Sequence, residues 1–167
     1  ELQYWDNVVN KIESEIQPDF EGGQNTWEVS SSDGFDLDRS YTELLNGQIN
    51  EVRNTQVQDL LLTALSNALI KSFGVSKPSI TLESHGRESI SDDVDVSRTV
   101  GWFTSKYPVV FDGLEDTSLL DQIASVKDTL RSVPSTIGYG VLDQLLNKIP
   151  SENAPQILFN YLGDFGK

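Results

Sequence analysis

The strongest structural signal in this sequence is one long run of helical periodicity. Thr55 is placed to cap such a helix, and Gly74 is placed to end it. A short loop then leads to an apolar strand, Ser79 to Glu83. A helix followed closely by a strand predicts helices packed on a sheet, because each element buries one face against the other. The apolar residues that share the helical spacing are Val57, Leu60, Leu61, Ala64, Leu65, Ala68, Leu69 and Phe73.

Charged or ionisable side chains follow this strand directly, and catalytic groups are commonly held on loops that a rigid scaffold positions. An acidic loop over residues 88–97 comes next. A long strand is predicted from Val100 to Phe111, where aromatic and β-branched residues dominate. Gly101 lies inside that run, and a glycine within a strand often marks close backbone approach. The ionisable residues after the apolar run Ile80 to Leu82 of this strand are Glu83, His85, Arg87 and Glu88.

The rest of the pattern predicts shorter elements. Alternation from Trp27 to Ser32, then Asp33-Gly34, then a short run from Phe35 to Leu37 predicts a hairpin or a bulge. A last strand is predicted from Ile157 to Leu162, and it carries Asn160 and Tyr161. Helices are predicted at residues 2–15 before Pro18, from a cap at Asp38 or Ser40 to a stop at Asn46-Gly47, at 118–132 before Pro134, and at 138–147.

Four short motifs, in the same order along the chain, resemble those of nonribosomal peptide synthetase epimerization domains. Residues 82–88 (LESHGRE) are similar to EGHGRE, and residues 97–111 (SRTVGWFTSKYPVVF) to RTVGWFTxxYPV. Residues 134–140 (PSTIGYG) resemble PxxGxGYG, although they are one residue short and lack its first Gly. Residues 159–165 (FNYLGDF) resemble FNYLGxF. Condensation domains share the fold but read more like GxFINTLPLR at the second motif, so the epimerization branch is favoured.

The resemblance implies an α/β fold of the α+β two-layer sandwich type. It is that of a chloramphenicol-acetyltransferase-like half domain, with helices packed on one face of a mixed sheet. The resemblance covers residues 1–167 as a single unit, the C-terminal lobe of a domain whose two lobes meet in a V. The family's HHxxxDG motif belongs to the N-terminal lobe and is absent here, where the sequence has one His. The chain alone is therefore expected to lack a catalytic partner and to be inactive.

The implied function is epimerization of an L-aminoacyl or L-peptidyl thioester to the D form by removal and return of its α-proton. The substrate would be carried on the 4′-phosphopantetheine of a carrier domain, and no directly bound cofactor or metal is implied. The expected partners are the N-terminal lobe of the same domain and a peptidyl carrier protein domain. Two alternatives remain: a lobe of a peptide-bond-forming condensation domain, and a non-catalytic lobe that docks carrier or neighbouring domains.

Three residues are candidates for the chemistry, since inversion needs one group to remove a proton and another to return it on the opposite face. Glu83 matches the first Glu of EGHGRE, which in the family lies across the active-site tunnel from a His of HHxxxDG. On residue type alone, a Glu beside an Arg at a strand end is usually a structural ion pair. Asn160 and Tyr161 match the Asn-Tyr of FNYLG. The resemblance places this phenol where it could donate a hydrogen bond to an enolate-like oxygen, whereas a strand aromatic by itself is usually core.

The other motif residues are expected to shape the loops. His85 is the one His of the chain, but it matches the His inside EGHGRE, so a structural role is favoured over that of a catalytic base. Ser84 stands where the family has Gly, and it would be strained there if the position needs a positive φ. Trp102 is expected mainly to pack. The remaining members of the loop-shaping set are Arg87, Glu88 and Arg98.

Composition narrows the possible partners. The net charge of −14 disfavours nucleic acids and anionic membranes, because both are polyanions. The chain has no Cys and one His, which excludes a thiolate or His-rich metal site. No run approaches the roughly 20 apolar residues of a membrane span, and the N-terminus lacks a signal pattern, so a cytoplasmic setting is expected. With no Met and a start at Glu-Leu-Gln-Tyr-Trp, the chain is expected to be a piece of a longer polypeptide.

Overall fold

A computed structural model of the chain describes residues 1–13, 16–24, 26–47, 50, 54–88, 93–149 and 154–163. Its strands are β1 (Ser79–Ser84), β2 (Ser105–Val110) and β3 (Ile157–Phe159). Its helices are α1 (Leu2–Val9), α2 (Arg39–Asn46), α3 (Val57–Phe73), α4 (Leu119–Arg131) and α5 (Thr136–Gly140). A 3₁₀ turn lies at Trp27–Val29, and a π-helical turn at Val141–Leu145 continues α5.

The strands of the described chain form one mixed sheet with β1 in the centre. Its order is β2-β1-β3, with β1 antiparallel to β2 and parallel to β3. The register sets Glu83 opposite Lys106 and Ile80 opposite Ile157. Helices pack on this mixed sheet, which confirms the α/β class expected from the sequence.

The core lies between the sheet and the helices. Ile80 and Leu82, two positions apart on β1, are both fully buried, as the two-residue period of a strand requires for side chains on one face. Helices α1, α4 and α5 contact β2, and α3 packs on α4. From these helices Trp5, Leu62 and Val126 enter the core without any exposed surface. Full burial of an aliphatic side chain such as Leu62 or Val126 contributes about 1.5–3 kcal/mol.

Helix α3 has the predicted bounds, and Gly74 ends it in the left-handed conformation with φ 67°. The predicted N-cap is wrong by one residue, because Gln56 takes that position. Asp59, in the first turn, accepts a 2.8 Å hydrogen bond from the backbone N–H of Gln56. Thr55 is turned instead towards Asn50, to which its hydroxyl donates at 3.1 Å.

Helices α2 and α4 and strand β1 agree with prediction to within one residue. The first helix ends at Val9, earlier than predicted, and positions 14 and 15 lie outside the described residues. Helix α5 begins at Thr136, two residues before the predicted start, because Ser135 caps it by accepting a hydrogen bond from the N–H of Gly138. Across the described ranges, no helix combines the length and the hydrophobicity that a membrane crossing requires.

The predicted hairpin between Trp27 and Leu37 is wrong. Residues 27–29 form a 3₁₀ turn, and residues 30–38 have no regular secondary structure. Trp27 is 94% exposed and Phe35 is 89% exposed, so the apolar side chains of this segment do not pack against the described core. An isolated hairpin without such packing is marginal at best in water.

Two strands are shorter than predicted. Strand β2 begins at Ser105 rather than at Val100, so Gly101 lies in the preceding loop. Backbone carbonyls of that loop are bound by the side chain of Arg87 instead of by a neighbouring strand. Strand β3 ends at Phe159, which leaves Asn160 and Tyr161 just beyond its end. The last two residues of the FNYLGDF motif lie outside the described residues.

Candidate active site

An open cleft of ≈ 510 Å³ lies where β1 and β3 end. Because these two strands are parallel, their carboxyl ends meet at the same edge of the sheet, and residues that follow both reach the cleft. The start of α3 and the loop before β2 complete its wall. The lining residues are Gln58, Glu83, Ser84, His85, Trp102, Thr104, Tyr107, Asn160, Tyr161 and Leu162.

Each carboxylate oxygen of Glu83 contacts a different side chain. Its Oε2 accepts a 2.7 Å hydrogen bond from Nδ2 of Asn160. Its Oε1 lies 3.4 Å from Nζ of Lys106, the residue opposite it on β2. The Glu83 side chain is 19% exposed, so the carboxylate is largely withdrawn from solvent while it still lines the cleft. These contacts restrain the orientation of the Glu83 carboxylate at the cleft wall.

Tyr161 and Asn160 reach the cleft because β3 stops before them. Tyr161 is 39% exposed, so it is not a core residue of this chain, as a strand aromatic would usually be. It also borders a neighbouring depression of ≈ 310 Å³ beside α2 and α3. The structure thus brings Glu83, Asn160 and Tyr161 to one cleft, the grouping that the sequence motifs predicted.

Arg87 does not pair with Glu83. Its Nη1 donates to the carbonyl oxygens of Val96 at 2.7 Å and Thr99 at 2.9 Å, and its Nη2 donates to that of Gly101 at 3.3 Å. Its guanidinium carbon also stands 4.3 Å from the ring centre of Phe103. The planar fork of an Arg suits several acceptors at once, so Arg87 orders the loop that precedes β2.

Gly86 lies where the loop after β1 passes closest to the loop before β2. Its φ is +62°, and a Cβ atom at this position would stand 1.5 Å from the carbonyl oxygen of Phe103. Only a residue without a side chain fits such an approach. Gly86 was not predicted to determine the site, although it matches the second Gly of EGHGRE.

Glu88 ties the same loop to the start of α5. Its Oε2 accepts from the N–H of Thr136 at 3.1 Å and from the hydroxyl of Ser135 at 3.3 Å. Its Oε1 accepts from the hydroxyl of Thr136 at 2.5 Å.

Burial raises the pKa of the Tyr107 phenol above its ordinary value, and the nearby Glu88 carboxylate adds to this effect. At neutral pH Tyr107 is therefore a protonated, neutral phenol that lines the cleft.

The remaining motif residues differ in position. His85 is exposed, lines the cleft and accepts a 2.9 Å hydrogen bond at Nδ1 from the N–H of Arg87. Ser84 ends β1 without a positive φ, so replacement of the family's Gly introduces no backbone strain. Arg98 is exposed and makes no hydrogen bond or ion pair with another described residue. The expectation that Trp102 packs is wrong, because Trp102 is 91% exposed and borders the cleft.

The sequence model of the condensation domain matches residues 1–166. The chain belongs to the condensation-domain family. A plipastatin synthase of Bacillus subtilis (strain 168) is 41% identical over 174 residues, which cover 99% of this chain and 7% of that protein. Bacitracin synthase 3 of Bacillus licheniformis is 38% identical over 167 residues, covering 98% of this chain and 3% of that protein. The condensation-family chain thus spans a small part of the length of these relatives.

Solved structures of the family agree with the fold. The epimerization domain from the third module of tyrocidine synthetase B superposes with a TM-score of 0.87 and 35% identity, over 98% of this chain and 38% of that chain. The condensation domain from Monacolin K polyketide synthase has a TM-score of 0.60 and 20% identity, over 86% of this chain and 35% of that chain. At this identity the second likeness shows the condensation-family fold alone.

Proposed function

We propose that this chain is the C-terminal lobe of an epimerization domain, and that the complete domain converts an L-aminoacyl or L-peptidyl thioester to its D form. The observation that carries the proposal is the placement of Glu83. Its carboxylate lies at the wall of an open cleft, anchored by Asn160 and bordered by Tyr161. A fixed carboxylate at the edge of a cleft has the chemistry needed to move a proton.

In the proposed reaction Glu83 acts on one face of the α-carbon, where it either removes the proton or returns one. A histidine of HHxxxDG, supplied by the N-terminal lobe, acts on the opposite face. When the proton leaves, negative charge develops on the thioester carbonyl oxygen, and the phenol of Tyr161 donates a hydrogen bond to it. Return of a proton on the other face completes the inversion, so each of the two groups serves once as base or as acid.

Two observations favour epimerization over peptide-bond formation. Residues 101–111 (GWFTSKYPVVF) follow the epimerization motif rather than GxFINTLPLR. The solved epimerization domain of tyrocidine synthetase B is 35% identical, whereas the condensation domain of the Monacolin K synthase is 20% identical. The match to the condensation-domain family model makes peptide-bond formation the second candidate.

The proposal assigns the substrate to the 4′-phosphopantetheine arm of a carrier domain, which would enter between the two lobes. This chain would supply one wall of that entrance. Its relatives are synthases much longer than the matched region, which supports the presence of a carrier domain in the same polypeptide. No directly bound cofactor is needed for the proposed proton transfers.

The test uses the intact two-lobed domain with its carrier domain loaded with an L-aminoacyl group. Chiral chromatography of the released amino acid measures the D fraction, and exchange of the α-proton in deuterated water measures the first proton transfer. Glu83→Gln is expected to lower the rate of D formation at least about 100-fold, the usual contribution of a general acid or base. Glu28→Gln, at an exposed position on the 3₁₀ turn, is the matched control.

Each alternative has its own signature in this experiment. Peptide-bond formation with an acceptor carrier, and no loss of chirality without one, would identify a condensation domain. Unchanged turnover in Glu83→Gln would identify a lobe that docks other domains without taking part in the chemistry. The 167-residue chain alone is expected to give no D product.

A further inference from the structure

Lys106 is the cross-strand neighbour of Glu83. The antiparallel register of β1 and β2 sets the two residues directly opposite each other, so that their side chains rise on the same face of the sheet. Nζ of Lys106 lies 3.4 Å from Oε1 of Glu83. In the motif RTVGWFTxxYPV, Lys106 fills the second of the two positions that the motif leaves open. The contact is therefore a property of this chain's own sequence.

Asn160 and Lys106 contact different oxygens of the Glu83 carboxylate. The neutral amide of Asn160 donates to Oε2. This single contact still lets the carboxylate turn about Oε2, unless a second group restrains Oε1. The ammonium group of Lys106 forms an ion pair with Oε1 at 3.4 Å. Its positive charge also attracts that oxygen electrostatically. Together the two contacts restrain both oxygens of the carboxylate at the cleft wall.

We infer that Lys106 is a positioning residue for Glu83, a role that rests on the epimerization proposed above. Lys106 is 57% exposed, and it is not among the described residues that line the cleft. Its effect is thus exerted through Glu83 and not through contact with the substrate. A residue that acts in this way changes the rate of proton transfer and leaves substrate binding unaltered.

The test compares Lys106→Met, Lys106→Gln and Lys106→Arg in the intact domain with its aminoacyl carrier. Met removes the charge and the donor, Gln keeps a donor, and Arg keeps both. Lys106→Met is expected to lower kcat about three- to fivefold, the range that a partly exposed ion pair supports. The KM for the aminoacyl carrier should stay unchanged. The kcat of Lys106→Gln should lie between those of Lys106→Met and the unaltered domain. Lys106→Arg should keep at least half of the kcat of the unaltered domain.

The matched control is Lys77→Met, which removes an ion pair with Glu13. Both residues lie away from the cleft, so its kcat should equal that of the unaltered domain. Circular dichroism fixes a temperature at which all variants are folded, which is achievable because both lysines lie at the surface. The D-to-L ratio at equilibrium should be the same in every variant, because it belongs to the substrate.

The inference is overturned if Lys106→Met keeps full kcat while Glu83→Gln abolishes activity. It is also overturned if KM rises while kcat is unchanged, since Lys106 would then contact the carrier or the substrate. Failure of Lys106→Arg to recover activity would contradict it as well. Failure of the epimerization proposal would give a different result, because Glu83→Gln would then retain turnover.

Discussion

Asn160 donates a 2.7 Å hydrogen bond to Oε2 of Glu83, although the two residues are 77 positions apart in the sequence. The parallel pairing of β3 with β1 brings them together, since Leu82 lies opposite Phe159 in the register. The next residue of each strand thus reaches the same end of the sheet. The geometry of the proposed proton-transfer group is therefore determined by the sheet as much as by its motifs.

Replacement of Asn160 should weaken catalysis without unfolding the domain. Asn160→Ala removes a hydrogen bond to a charged group, a contact worth about 1.5–3 kcal/mol when buried. Because Asn160 is exposed, we expect a fall in kcat of about tenfold, at the lower end of that range. Asn160→Asp should lower kcat further, because it places a second negative charge beside the carboxylate of Glu83. Asn7→Ala, on the exposed side of α1, is the control, and wild-type kcat in Asn160→Asp would contradict the assignment.

Gly86→Ala should destabilise the domain far more than other changes of the same type. Its Cβ would stand 1.5 Å from the carbonyl oxygen of Phe103, in addition to the strain of φ +62°. We expect a loss of about 2–4 kcal/mol in the free energy of unfolding, measured in urea, since overpacking and left-handed backbone strain add.

Gly22→Ala is the matched control for the backbone term. Gly22 has φ +76° with no heavy atom within 4 Å of the added Cβ, so it should lose only about 1 kcal/mol through strain. Equal losses in the two variants would mean that the close approach at Phe103 is relieved without cost.

Arg87→Lys should loosen the loop before β2. The three carbonyl acceptors of Val96, Thr99 and Gly101 need the fork of a guanidinium, and an ammonium on a shorter stem cannot reach all of them. Hydrogen exchange at the amide of Thr99, which donates to the carbonyl of Val96 at 3.1 Å, should be faster by about tenfold, the loss of roughly one charge-assisted hydrogen bond.

Arg39→Lys provides the comparison for Arg87. Arg39 is 91% exposed in its pair with Glu43, and such pairs contribute little to stability. The exchange rate at Thr99 should be unchanged in this variant. An unchanged rate in Arg87→Lys as well would show that the loop holds its shape without the guanidinium.

Alkaline pH should destabilise the fold through Tyr107. Burial, with contributions from Glu88 and Tyr4, raises the pKa of its phenol above the ordinary value of 10.0. The folded chain then holds this proton more tightly than the unfolded chain. The resulting stability is complete below pH 10.0, and it is lost as the pH rises through the higher folded pKa.

Tyr107→Phe should therefore flatten the fall in unfolding free energy above pH 10.0. Urea unfolding on either side of that pH measures the change in slope. Tyr41→Phe, at a tyrosine that is 58% exposed, should leave the slope as it is. A slope that is identical in Tyr107→Phe and in the unaltered chain would contradict the assignment.

The sequence predicted best where one local pattern decides the structure. Helix α3 has long 3.6-residue periodicity and a left-handed Gly74 at its end, and both signals are local. The predicted strand from Val100 was wrong at its start because Arg87, 9 to 14 positions earlier in the chain, binds the carbonyls of residues 96, 99 and 101. Propensity cannot register such a tertiary contact.

The same distinction applies to the candidate site. Motifs pointed to Glu83, Asn160 and Tyr161, which line one cleft. They did not point to Lys106, because its contact with Glu83 follows from the cross-strand register. Trp102 was misread because aromatic residues are usually buried, whereas here the side chain borders open space.

The pairing of β1 with β3, which comes much later in the chain, also determines when the cleft forms during translation. A ribosome releases β1 and β2 well before β3, and chains fold from their N-terminal side as they emerge. The nascent protein then carries Glu83 without its amide partner until translation has passed Asn160. The cleft is thus completed only once β3 has joined the sheet, and a ribosome stalled before β3 would leave a chain in which Asn160 cannot yet anchor the carboxylate of Glu83.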